Sequence, residues 1–439
     1  MTEVPTQSSP VTAQRFDHSE ADLCVACGLC LPVCPTYRLD RNENESPRGR
    51  LSLIRGLASG QLNPDGLIAE HLHRCTLCLS CESVCPATVG FGEQMSRARD
   101  WLQDQGQWEH SVAEKFLMNA LRKGDTRMKW VGQLARTYQR SPLRRALRGS
   151  GLLRMTGLED TDAAMPEFSK SSMLENSYDA AAPERGRVSL FTGCLQNQTD
   201  PETLPAAIDL LTRLGYGVDV PPMQNCCGGL HLHGGEHAEA EHLAQKNVSA
   251  FSGTGTIVGV ASGCGAVIKK YDQVLGDGGK DMASAYNDIT TFLAGEDVLG
   301  PAEFAPLPAK VLVHEPCSHR NQLKQNELVY EILGRIPRLD IDALPDNGFC
   351  CGGAGSYSLS EPGLSQRMRE PKLDALAELQ PDYLVTTNIG CALHLKSGLA
   401  ARNIPVEILH PVTLLARQLR NRNPDTGAAC PDPQTADMV

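Results

Sequence analysis

The run "CVACGLCLPVCP", Cys24–Pro35, returns at Cys75–Pro86 as "CTLCLSCESVCP". Each run spaces four cysteines by two, two and three residues, and a proline follows the last. Three thiols two residues apart can wrap one face of a small inorganic core in a tight loop. The longer step to the fourth throws that thiol away, toward a different centre. Pro35 and Pro86 fix φ and turn the chain after the last ligand. Gly28 lets the backbone come close.

This is the spacing of two-cluster ferredoxins, in which the fourth cysteine of each run ligates the other cluster. It predicts that Cys24, Cys27 and Cys30 share one [4Fe–4S] cluster with Cys85. Cys75, Cys78 and Cys81 then share the second with Cys34. Zinc takes four ligands, usually from two separated C-x2-C pairs, so two complete four-cysteine runs disfavour it. The residues between Cys34 and Cys75 outnumber what a compact small ferredoxin needs. There "SPRGRLSLIRGLASGQL" sets Leu51, Ile54 and Leu57 at helical spacing, and after the second run "FGEQMSRARDWLQDQ" also reads as helix. The expectation is a helical ferredoxin-like domain over residues 20–110, behind a flexible tail at 1–19.

With 439 residues, two or three domains are expected, and 41% hydrophobic content supports real cores. A formal net charge of −11 argues against a nucleic-acid partner. The opening "MTEVPTQSSPVTAQ" has no basic start and no apolar run, so no secretory signal is expected. No stretch approaches the roughly 18 apolar residues of a membrane span. The expected location is cytoplasmic, with a peripheral place on the inner face of the cell membrane left open. Seventeen cysteines in such a chain imply metal ligation or redox chemistry before disulfides. Cys430 stands alone in a polar, Pro-rich tail, 419–439, expected to be disordered, and is given no role.

Residues 111–187 form a basic helical segment and a linker. Arg122, Lys123, Arg127, Lys129, Arg136, Arg140, Arg144, Arg145, Arg148 and Arg154 face only Asp125 in charge. With Trp130, Leu143 and Leu147 as an apolar face, the segment suits an anionic membrane or an acidic partner. A solvated helical linker is the plain alternative. Residues 155–187 lack periodicity and read as a boundary.

The remainder repeats itself. Strand "RVSLFTGC" ends at Cys194, a helix follows, "NCCGGLHLHGG" carries Cys226 and Cys227, and strand "TIVGVASGCG" leads to Cys264. Then "AKVLVHEPC" ends at Cys317, "GFCCGGAGSY" carries Cys350 and Cys351, and "YLVTTNIGC" ends at Cys391. The three landmarks are offset by 123, 124 and 127 residues. Alternating strand and helix predicts two related α/β units with mainly parallel sheets, over 188–300 and 309–418. The fold class is thus α+β and multidomain: the helical ferredoxin-like part, then two cysteine-rich units. Cysteines at strand ends and in Gly-rich turns lie where open sheets place their sites. Buried inert thiols and a strained vicinal disulfide are the alternatives.

Two ferredoxin runs followed by two units containing "CCGG" resemble the glycolate oxidase iron–sulfur subunit family. The wider group includes iron–sulfur subunits of anaerobic glycerol-3-phosphate dehydrogenase, lactate utilisation and heterodisulfide reductase. "CPTYRLDRNENESPRGRLSLIRG", "HLHRCTLCLSCESVCP", "ASGCGAVIKKY" and "TTNIGCALHL" carry the likeness to the first. The resemblance implies an electron carrier, a subunit of an oxidoreductase complex that does not itself oxidise substrate. A partner FAD subunit would oxidise a 2-hydroxy acid, and electrons would leave toward the quinone pool. Heterodisulfide reductase relatives bring a fifth cysteine to each cysteine-rich unit. Here Ala261 and Asn388 stand in its place. Four thiols per unit still suffice for a further cluster. If the units differ, Cys317, Cys350, Cys351 and Cys391 are expected to be the better site, because Asn388 offers an oxygen or a hydrogen bond and Ala261 offers neither. Cys194, Cys226, Cys227 and Cys264 are the lesser site. The runner-up function is a heterodisulfide-reductase-like catalyst at such a cluster; a cytosolic redox sensor ranks lower.

"HLHGGEH", His231 to His237, is expected in a turn as a support for the cysteine pair, not a ligand. His314, Glu315 and Asp346 are expected to tune the second site. No phosphate loop or dinucleotide fingerprint follows a strand, so no FAD or NAD is expected in this chain.

Overall fold

The computed structural model describes residues 15–122, 125–155, 162, 167–296 and 301–420. Most of the N-terminal tail, Lys123, the side chains of Arg127 and Lys129, much of 155–166, and the tail with Cys430 lie outside the described residues. The chain forms two compact units, one running to Glu109 and one starting at His110.

The first unit is helical. Its main helices are α1 (Pro47–Ala58), α2 (Gly66–His73) and α3 (Phe91–Asp104). Ser46 accepts the Gly49 N–H and Pro47 fills the first turn, so α1 starts there. Asp65 caps α2 through the Ile68 N–H. Leu51, Ile54 and Leu57 lie buried with Leu72, Met95 and Leu102, as the helical spacing predicts.

The second unit opens with α4 (Val112–Arg122), α5 (Asp125–Arg140) and α6 (Pro142–Gly149). This segment is more than a solvated linker. Gln139 accepts the Phe168 N–H, and a buried Asp162 carboxylate accepts from Tyr138, Arg144 and Arg148. Arg122 pairs with Glu239 at 3.1 Å, so at least three of the basic residues have a structural partner.

The first sheet contains β1 (Ser177–Tyr178), β2 (Gly186–Phe191), β3 (Tyr216–Asp219), β4 (Thr256–Gly259) and β5 (Tyr286–Asp288), in the order β1-β3-β2-β4-β5. Only the edge strand β1 is antiparallel. Around it lie α7 (Thr203–Arg213), α8 (Gly229–Gly234), α9 (His237–Ala250), α10 (Ser262–Ile268) and α11 (Ile289–Ala294). The second sheet, of β6 (Lys310–His314), β7 (Asp340–Ala343), β8 (Tyr383–Thr386) and β9 (Glu407–Leu409), is all parallel in the order β7-β6-β8-β9. Its helices include α12 (Glu327–Leu333), α13 (Pro362–Leu379), α14 (Ile389–Arg402) and α15 (Pro411–Arg420). Helices cover these sheets, so β2, β4, β6 and β8 read as continuous apolar runs.

The repeat holds to single hydrogen bonds. Gln224 accepts the Thr192 N–H and donates to the Leu190 carbonyl. Asn347, at the matching place, accepts the Glu315 N–H and donates to the Val313 carbonyl. The repeats also exchange partners: α7 packs on α15, and α11 on α12. One apolar core runs through Val188, Leu190 and Val258 into Val311, Val313 and Val385. Each repeat has its own sheet, but the core belongs to both.

Candidate metal centres

In the first unit one cavity is lined by Cys24, Cys27, Cys30, Cys81 and Cys85. A second is lined by Cys34, Cys75, Cys78 and Cys81. The fourth cysteine of each run thus lies at the cavity of the other run, and Cys81 lies between the two. The same backbone device shapes both loops. The residues flanking the middle cysteine are left-handed in each: Ala26 and Gly28 around Cys27, Leu77 and Leu79 around Cys78. Non-glycine residues adopt this conformation at a cost of about 1 kcal/mol or more, and strain of this kind gathers at functional sites. Burial first, and then neighbouring Cys78, Cys75 and Cys34, push the Cys81 thiol well up. Four thiolates packed this way repel one another unless a cationic centre holds them. The sulfur-lined, otherwise largely apolar cavities fit iron–sulfur clusters.

A buried polar network supports Cys34. Thr36 Oγ1 lies 3.3 Å from Cys34 Sγ and donates to the Glu45 carbonyl at 2.8 Å. Arg50, fully buried in α1, bonds Thr36, the Glu45 carboxylate and the His71 carbonyl. His71 Nδ1 meets the same carboxylate at 2.7 Å. Arg99 on α3 reaches the Leu72 and Cys75 carbonyls, both at 2.7 Å, and fixes the start of the second loop. The sequence reading missed Arg50, Glu45 and Arg99. Arg50 and Arg99 fall on apolar helix stripes, a signal that was available.

In both repeats the central strands diverge in connection: β2 leads to β3 on one side and β4 to β5 on the other. Cys194 and Cys264 follow β2 and β4, and Cys317 and Cys391 follow β6 and β8. This is the crevice where parallel sheets bind ligands. Sulfur contacts run Cys194–Cys226–Cys227–Cys264 in the first repeat. They run Cys317–Cys350–Cys351–Cys391 in the second. All four predicted thiols of each repeat are therefore brought together. The glycines of "CCGG" explain themselves. Gly228 and Gly352 are left-handed at φ +83 and +87, and a Cβ on Gly352 would lie 2.4 Å from the Ser365 carbonyl. The next glycine N–H, of Gly229 or Gly353, donates to the second sulfur of its pair.

The surroundings differ. Asn247 in the first repeat and Lys372 in the second are both fully buried behind the cysteine pair. His314 packs where the first repeat has Phe191, and its ring nitrogen lies with the Cys351 and Cys391 sulfurs inside a 4.8 Å group. Burial holds His314 well below the usual histidine range. Asn388 departs from expectation. Its oxygen caps α14 by accepting the Gly390 and Cys391 N–H groups, and its nitrogen donates to Ser318. That oxygen is committed to the helix, so the second site owes nothing to it as a ligand. "HLHGGEH" is also not a simple turn: His231 is fully buried on α8, and His233 faces Cys227. Glu315 takes the Tyr330 hydroxyl, and the Asp346 carbonyl takes the Lys372 ammonium at 2.9 Å.

Comparison with known proteins matches three family models along the chain. A family model for a 4Fe-4S dicluster domain matches residues 20–89, and one for a cysteine-rich domain matches 188–269 and 311–396. The linker region of the glycolate oxidase iron–sulfur subunit matches 110–165. A probable glycolate oxidase iron–sulfur subunit of Bacillus subtilis is 31% identical over 92% of this chain and 95% of its own length. The glycolate oxidase iron–sulfur subunit of Escherichia coli is 31% identical over 90% of this chain and 95% of its own. One subunit of the fumarate reductase (CoM/CoB) of Methanothermobacter marburgensis is 24% identical over 89% of this chain and 71% of its own. With sulfur-lined cavities, a doubled cysteine-rich fold and these full-length likenesses, the chain belongs to the glycolate oxidase iron–sulfur subunit family.

Proposed function

We propose that this chain carries electrons for a flavin-dependent 2-hydroxy-acid dehydrogenase complex that oxidises glycolate. A separate FAD-containing subunit performs the oxidation, and electrons leave toward a quinone. The observation that carries the reading is the pair of sulfur-lined cavities with crossed cysteine sets. [4Fe–4S] clusters supply one-electron redox steps at thiolate-bound iron. Cys24, Cys27, Cys30 and Cys85 hold one, and Cys34, Cys75, Cys78 and Cys81 the other. The left-handed turns shape the loops, and the Arg50 network fixes Cys34. The names of the 31% identical relatives support the substrate class.

The repeats offer two further four-thiol sites. The second, Cys317, Cys350, Cys351 and Cys391, is favoured by the adjacent Lys372 and His314. The first is Cys194, Cys226, Cys227 and Cys264. Catalysis at a repeat, as in heterodisulfide reductase relatives, loses support because Ala261 and Asn388 replace the fifth cysteine. The basic helices α5 and α6 dock the complex on an anionic membrane face; among the described residues no helix is long and apolar enough to cross a membrane.

The test is anaerobic mixing with the flavin subunit and glycolate. Cluster absorbance is expected to bleach only when all three are present. Steady glycolate oxidation by the purified chain alone would contradict the carrier reading.

A further inference from the structure

The repeats match closely enough that their differences can be read position by position. In the second, Arg320 lies across the loop before the cysteine pair: its guanidinium donates to the Asn347 and Gly348 carbonyls. Glu315 stands beside it, held by the Tyr330 hydroxyl at 2.8 Å. In the first repeat the same places hold Asn197 and Thr192. The Asn197 amide turns instead to clasp the Ser172 backbone, accepting its N–H and donating to its carbonyl, both at 3.0 Å. The space filled by arginine and glutamate in one copy is left open in the other.

What opens there is a cleft of about 430 Å³. Cys194 and Cys226 are among the residues that line it. Drug-sized ligands occupy pockets of about 300–1,000 Å³, so there is ample room. Among the described residues that line it, none carries a formal charge. Thr192, Asn176 and Asn225 offer hydroxyl and amide donors. Asn225 spends one N–H on the Met223 carbonyl and keeps a second. Leu174, Val220 and Pro221 give apolar walls. Among the described lining residues an ionic ligand would find no counter-charge, and a purely apolar one would strand the donors. A flat neutral ring with carbonyl oxygens satisfies both.

We propose that this cleft over Cys194 and Cys226 binds the electron acceptor, a molecule of the quinone class, and that the first repeat is the exit of the chain. The inference rests on the carrier reading. Each quinone takes two electrons, one at a time, from the reduced chain and two protons from water in the open mouth. It leaves as the quinol. The second repeat carries Arg320 and Glu315 at the places where the first has Asn197 and Thr192.

Duroquinone, whose ring carbons are fully substituted and so resist thiol addition, is the probe. Equilibrium dialysis against the full-length chain is expected to show saturable binding. Thr192→Val and Asn225→Leu should each weaken it roughly five- to tenfold, the worth of one hydrogen bond. The double variant Thr192→Glu/Asn197→Arg, which copies the second repeat, should abolish it, with iron content and circular dichroism checked alongside. Binding that does not saturate, or that is unchanged in the two single variants, overturns the assignment. Stopped-flow reoxidation of the photoreduced chain adds a second readout. Duroquinone should oxidise the single variants slowly, while ferricyanide oxidises them at the wild-type rate. A wild-type chain that passes no electrons to ferricyanide would contradict the carrier reading, and the binding isotherm would still decide the cleft.

Discussion

Asn247 and Lys372 occupy the same place in the two repeats. Each is fully buried on the helix behind a cysteine pair, α9 or α13, and each donates to backbone of the loop in front: Asn247 to the Cys226 carbonyl, Lys372 to the Asp346 carbonyl, both at 2.9 Å. Burial pulls the Lys372 ammonium down from its usual range, and the facing sulfurs of Cys351, Cys350 and Cys391 work against that fall. A neutral amide thus serves one site and a cation the other.

A cation beside a cluster favours its reduced, more negative state. Lys372→Met should therefore shift the potential of a cluster in the second repeat downward. The scale is roughly 100 mV for a unit charge a few ångströms away at an effective dielectric constant of about 20. Asn247→Leu should move no potential by a comparable amount. A redox titration followed by electron paramagnetic resonance checks both. No shift in Lys372→Met would mean that the second repeat holds no cluster or that Lys372 is neutral.

Arg50 is the main brace of the Cys34 loop. Replacing it with Met leaves the buried Glu45 with only His71 and the more distant Arg74 at 3.7 Å, a loss of up to about 3–5 kcal/mol. Urea denaturation should show the drop, and the cluster at Cys34 should be lost first. Arg50→Lys should recover little, because one ammonium cannot reach Thr36, Glu45 and the His71 carbonyl together. A wild-type midpoint in Arg50→Met would show that the network adds nothing.

The basic helices separate into two groups. Arg144 and Arg148 are tied to Asp162, so changing them should lower stability. Arg140, Arg145 and Arg154 are exposed, as are the apolar Trp130, Leu134 and Leu143. Side chains of that mixture suit a lipid interface. Arg140→Glu, Arg145→Glu and Arg154→Glu together should abolish co-sedimentation with vesicles containing anionic lipid, and high salt should do the same to the wild type. Wild-type protein that ignores such vesicles at low salt would contradict the membrane role and leave the segment its structural one.

Much of this architecture was legible in the residues. The cysteine runs carried the first unit, because ligand spacing is local and demanding. The strands β2, β4, β6 and β8 stood out as short apolar runs of the kind buried parallel strands need, but they end before the cysteines, and Cys264 and Cys391 lie in the first turns of α10 and α14. What stayed hidden depends on partners far along the chain. Nothing near Arg144 announces Asp162, and nothing near Val188 announces that its core continues to Val385. The oxygen of Asn388 looked free for a site because its use as a helix cap depends on where α14 begins. The open cleft in the first repeat was equally silent, since Asn197 and Thr192 acquire meaning only when set beside Arg320 and Glu315.

The central claim is that the two N-terminal runs exchange their fourth cysteines. Four single variants test it: Cys24→Ala, Cys34→Ala, Cys75→Ala and Cys85→Ala, each prepared anaerobically, with the cluster signals compared by electron paramagnetic resonance and Mössbauer spectroscopy. Cys34→Ala and Cys75→Ala are expected to lose one and the same cluster signal, while Cys24→Ala and Cys85→Ala lose the other. Loss of one shared signal in Cys24→Ala and Cys34→Ala, with Cys75→Ala and Cys85→Ala losing the second, would contradict the claim.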